Sequence, residues 1–205
     1  MRSAFWKLAG IFALLIVGDA AIWFYGSVGN PEIAAESHLV ENAQAVLLAL
    51  GAILFFIKGV NSGETQFRIL FWSLVVIYLT LFLLELEVGS LQRVYPIFAL
   101  ATPPIRTYVL IAAWLGMALV LLLNARDVFG AWRDWINGLP GVLFILAGLF
   151  YGAARAAEQD LWSIALVSPV LLEEIMELNA TVLMLFAALT KARGGQSTTL
   201  RRRPG

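Results

Sequence analysis

The chain has 205 residues, of which 60% are hydrophobic and 14% charged, with a formal net charge of zero. Soluble domains carry about 25% charged residues, so this composition belongs to the membrane class and offers no basic surface for nucleic acid. The absence of cysteine excludes disulfides, thiolate metal sites and cysteine nucleophiles.

Hydropathy and punctuation predict an all-α integral membrane protein with six transmembrane helices, at about residues 4–25, 38–58, 67–88, 107–125, 139–157 and 166–190. Each is close to the ~20 residues that cross a ~30 Å hydrocarbon core. Gly29, Asn30 and Pro31 follow the first helix, and Gly59 to Gly63 separate the second from the third. Pro96, Pro103 and Pro104 precede the fourth, and Gly138 and Pro140 open the fifth. Ser168 and Pro169 fall in the first turn of the sixth, where proline is tolerated. Residues 1–193 form the membrane domain, and 194–205 a disordered basic tail with Arg201, Arg202 and Arg203.

Of the 14 Lys and Arg residues, all but Arg93, Arg106 and Arg155 fall on the side of the N-terminus in this topology. The positive-inside rule then places both termini in the cytoplasm and the chain in the cytoplasmic (inner) membrane. A cleaved signal peptide is the competing reading of the N-terminus: Arg2 and Lys7 precede the apolar run Leu8 to Val17 and the small residues Gly18 and Ala20. Asp19 in the cleavage region and the continuation through Trp23, Phe24 and Tyr25 weigh against it.

The sixth segment carries Glu173, Glu174 and Glu177, with Asn179, in its first half. A carboxylate in hydrocarbon costs about 2.5–3.5 kcal/mol on insertion scales. At about 1.5 Å per residue, Glu41, Glu85 and Glu174 stand ~25 Å from the inner basic residue of their helices, Glu177 ~21 Å and Asp19 ~18 Å. Four helices therefore place a carboxylate in the outer half of the membrane. On the second helix His38, Glu41, Asn42, Ala45, Ala49 and Ala52 share one side, polar at the outer end and small below. Glu173, Glu174 and Glu177 share a face with Thr181. Tyr151 and Arg155 stand in register on the fifth helix, where Arg155 neutralises part of the cluster.

These residues predict a pocket open to the outer face. Its candidate ligands are Glu41, Glu85, Glu174, Glu177 and His38, supported by Asp19, Asn42, Glu173, Asn179 and Arg155. The expected occupant is a divalent cation or protons, because clustered carboxylates repel one another without one. Two other readings compete: a metal-assisted hydrolase or transferase acting on a lipid-linked substrate, and an accessory subunit whose acids contact a partner membrane protein or a second copy. Carboxylates in early helical turns are favoured by the helix dipole, which accounts for Glu173 and Glu174 better than for Glu177.

Gly141, Gly148 and Gly152 form a stripe that predicts helix packing, and Trp132 and Trp135 predict interfacial anchoring from an inner loop. Glu173-Glu174 is similar to the start of the Glu-Glu-x-x-x-Arg signature of CAAX-type intramembrane proteases. Leu178 stands at the arginine position, however, and His38 is the single histidine, so no family is assigned.

Overall fold

The computed structural model describes residues 2–24, 38–85, 103–159 and 169–191. They form seven helices: α1 (Arg2–Phe24), α2 (His38–Asn61), α3 (Thr65–Glu85), α4 (Pro103–Leu123), α5 (Ala125–Ile136), α6 (Leu139–Glu158) and α7 (Pro169–Leu189). No strand occurs among the described residues. Four spans are long and apolar enough to cross a membrane: Val40–Asn61, Thr65–Leu84, Ile105–Leu123 and Leu139–Ala157. The apolar part of α1, Leu8–Ile22, is shorter, and α7 is interrupted by its acids. The basic tail and the loop around Tyr95 and Pro96 lie outside the described residues.

The predicted segments match six of the seven helices. The exception is α5, which occupies the stretch expected to be an inner loop. Val128, Ala131 and Trp135 recur at helical spacing and are buried. Trp135 is therefore a core residue rather than an interfacial anchor. Its ring meets Phe55 at 6.3 Å and Phe144 at 5.5 Å, both edge-on.

The core lies where α2, α3, α6 and α7 meet. Phe55 is fully buried at its centre, 5.3 Å from the Tyr78 ring and 6.0 Å from Phe71. α7 enters the core through small residues: Ala180, Ala187 and Ala188 are fully buried beside Leu183. Small side chains let helix backbones approach closely, which is how helices associate where lipid is as apolar as the core. The exposed apolar side chains, including Tyr108, Leu115, Leu122 and Leu123 on α4, are those a lipid environment would cover.

Polar contacts fix the direction of each helix. Gln44 Nε2 donates to the Glu174 carbonyl (3.5 Å) and Lys58 Nζ to the Thr190 carbonyl (2.7 Å), so α2 and α7 run side by side in the same direction. α3 returns against α2 through a tight turn, in which the Ser62 hydroxyl donates to the Glu64 carbonyl (3.1 Å) and Arg68 Nη2 to the Ser62 carbonyl (3.1 Å). Tyr151 meets Thr181 and Arg155 approaches Glu177, so α6 runs against α7. α4 is peripheral and joins α3 through Arg106 Nη1 donating to the Leu83 carbonyl (2.6 Å) and Trp114 Nε1 to Thr80 Oγ1 (3.0 Å).

The glycine stripe on α6 divides. A side chain at Gly141 would collide with the backbone of Ile136, whereas Gly148 and Gly152 have no described atom within reach of a Cβ. Gly51 has the closest packing role on α2, because the Tyr78 ring lies directly over it.

Candidate carboxylate pocket

The N-terminal half of α7 presents Glu173, Glu174 and Glu177 between α2 and α6. Spacings of one, three and four residues keep them on one side of a helix. Glu173 and Glu177, one turn apart, meet Arg155 of α6. Arg155 Nη1 is 3.8 Å from Glu173 Oε1, and its Nη2 is 3.7 Å from Glu177 Oε1. These are ion pairs beyond hydrogen-bond length. The arginine side chain is 59% exposed, that of Glu173 21% and that of Glu177 9%.

Glu174 belongs to the α2 side of the group. Its main-chain carbonyl accepts from Gln44, which is fully buried, and its carboxylate lies within Coulombic reach of Glu177, Glu41 and Glu173. Glu174 Oε2 is sealed from solvent with no hydrogen-bond donor among the described residues. Glu41 on α2 is close enough to influence the Glu174 carboxylate electrostatically.

Thr181 and Tyr151 close the group on the side of the core. Thr181 Oγ1 donates to the Glu177 carbonyl (2.9 Å), and it shares a hydrogen bond with Tyr151 Oη (3.0 Å). Beyond them, Tyr78 Oη donates to the Met184 carbonyl (2.6 Å) and the packing becomes apolar, with Leu48, Leu183 and Phe55 fully buried. α2 carries no acid after Glu41 and α7 none after Glu177. The carboxylates thus gather at one end of the bundle.

The remaining candidates divide. Asn179 Nδ2 donates to Asp19 Oδ2 (3.0 Å), which ties α1 to α7. Asn179 stands two residues from Glu177, on a different face, so this pair binds helices together away from the pocket. Asn42 is exposed. His38 begins α2 and Glu85 ends α3, but the side chains of both lie outside the described residues. Gln44 was missed from the sequence. The small residues Ala45, Ala49 and Ala52 suggested one α2 stripe, whereas the fully buried side chains are Gln44, Leu48 and Phe55, rotated slightly around the helix. A neutral amide one turn after Glu41 was the available signal.

Among the described residues, no group of three or more His, Cys, Asp or Glu side chains is placed to hold a metal ion. The side chains of His38 and Glu85, two of the five candidate ligands, lie outside that set. Glu173 and Glu177 pair with Arg155, and Glu174 stands beside them on the same side of α7. No family model, curated protein or solved structure matches this chain.

Proposed function

We propose that this chain is a six-crossing protein of the cytoplasmic membrane, with both termini cytoplasmic and a proton-binding carboxylate pocket open to the outer face. The observation that carries this reading is the Glu174 carboxylate, whose Oε2 is sealed from solvent and meets no hydrogen-bond donor among the described residues. Glu41, Glu173, Glu174 and Glu177 share a neighbourhood in which Arg155 pairs with Glu173 and Glu177. In a low-dielectric medium like charges at short range cannot all remain ionised without a compensating cation. A proton on Glu174 removes the cost of burying its charge beside the neighbouring acids.

The helix directions agree with α7 crossing beside α2, α3 and α6: α2 and α7 run the same way while α3 and α6 run oppositely. The closed floor at Thr181 and Tyr151 favours access from one side over a path through the bundle.

A divalent cation is the other occupant considered for this site, and metal content separates the two. Purified full-length protein, stripped with a chelator and then equilibrated with Mg2+, Ca2+, Mn2+ or Zn2+, is expected to retain no ion that depends on the pocket. A stoichiometric ion lost in the Glu174→Gln/Glu177→Gln variant would replace protons with a metal.

A further inference from the structure

α5 joins two apolar spans through very short links, Asn124 before it and Asn137–Gly138 after it. The α4 span ends at Leu123 and the α6 span begins at Leu139. With so little chain on either side, α5 must lie at the level where those spans end.

At about 100° per residue its side chains sort into four strips. Val128, Ala131 and Trp135 form the strip buried on the bundle. Beside it lie Phe129, Trp132 and Ile136. Phe129 is 72% exposed, Ile136 37%, and Trp132 rests edge-on against Trp135 at 5.7 Å. Next around the helix come Arg126 and Arg133, both exposed. Asp127 and Asp134, also exposed, occupy the far side. The basic residues therefore border the outward apolar strip and the acidic residues do not.

Leu122 and Leu123, just before α5 at the end of α4, are 75% and 76% exposed. An apolar strip flanked by arginines is the pattern of a helix lying in a membrane interface. Arginine stems cover apolar surface while the guanidinium reaches outward to headgroup phosphates. Aspartates are repelled by the same anionic surface.

We propose that α5 lies in the plane of the membrane surface and binds lipid directly. Phe129 and Ile136 enter the acyl boundary, Arg126 and Arg133 contact lipid phosphates, and Asp127 and Asp134 face water. This does not depend on the carboxylate pocket.

The chain has no cysteine, so single spin labels can be placed on an unaltered background. Full-length protein in vesicles of phosphatidylethanolamine and phosphatidylglycerol would be labelled at Phe129→Cys, Arg133→Cys or Asp134→Cys, with Ile136→Cys as a second strip position. Relaxation by oxygen, which concentrates in acyl chains, is compared with relaxation by a water-soluble nickel chelate. The Phe129 and Ile136 positions are expected to favour oxygen, Asp134 the nickel chelate, and Arg133 to fall between. A Phe129 label as open to nickel as the Asp134 label would overturn the proposal. A strip label shielded from both reagents would assign it to a protein contact and overturn it as well. Replacing Arg126 and Arg133 by glutamine is expected to lower the oxygen preference at Phe129, and an unchanged ratio would remove the phosphate contacts.

Discussion

Gly141→Ala is expected to destabilise the bundle by about 1–3 kcal/mol, the usual cost of overpacking a tight site, and to fall at the upper end of that range. The added Cβ would meet the Cα of Ile136 and would lie 2.6 Å from its carbonyl carbon. Ile136 is the last residue of α5, and its backbone is held by the turn that follows. Asn137 N–H donates to the Arg133 carbonyl (3.1 Å), and Gly138 N–H to the Trp135 carbonyl (3.0 Å). Relief would require unwinding the end of α5 and releasing Trp135 from the core. Gly51→Ala should also be costly, because its Cβ would stand 2.6 Å from Tyr78 Cδ1, in a ring fixed by the hydroxyl bond to Met184. Gly148→Ala and Gly152→Ala meet open space, so they should be neutral or stabilise by about 0.4–1 kcal/mol through the unfolded chain. Thermal denaturation in detergent checks the order. A loss at Gly148 as large as that at Gly141 would contradict it.

Arg155→Met is expected to destabilise the protein, whereas Glu177→Gln should be neutral or stabilising. The asymmetry follows from Arg155 meeting two carboxylates, Glu173 and Glu177. Removing the guanidinium leaves Glu173 and Glu177 facing each other, Glu174 and Glu41 with less compensation. Removing one carboxylate relieves repulsion. Breaking a fully buried ion pair costs about 3–5 kcal/mol, and an exposed pair is worth about 0–1 kcal/mol. With the arginine side chain 59% exposed and its contacts at 3.7–3.8 Å, a loss of about 1–2 kcal/mol lies between those limits. In the Glu177→Gln background the cost of Arg155→Met should shrink. Equal losses from both single variants would contradict the asymmetry.

The helices were largely legible in the sequence because apolar length is a strong signal where lipid replaces water. Their ends were less so: α2 continues to Asn61, and α4 begins at Pro103, where two prolines occupy the first turn. α5 was hidden because a short polar stretch between two long apolar spans resembles a loop when judged by hydropathy. Its helical signal lies in the spacing of Val128, Ala131 and Trp135. Rise per residue predicts that Glu41 and the α7 acids stand at similar heights. Face was not legible. Asp19 shares that predicted height but joins Asn179 on another side of α7. The neighbour of Gly51 also could not be read, because nothing along α2 shows that a tyrosine from α3 crosses it.

Infrared spectroscopy of the membrane-reconstituted protein reads directly whether the carboxylates of the pocket hold protons. A protonated carboxyl shows a C=O stretch, displaced in heavy water, that an ionised carboxylate lacks. At neutral pH the wild-type protein is expected to show such a band, and Glu174→Gln or Glu177→Gln to diminish or shift it. A wild-type spectrum without that band, or a band unchanged in both variants, would contradict the account.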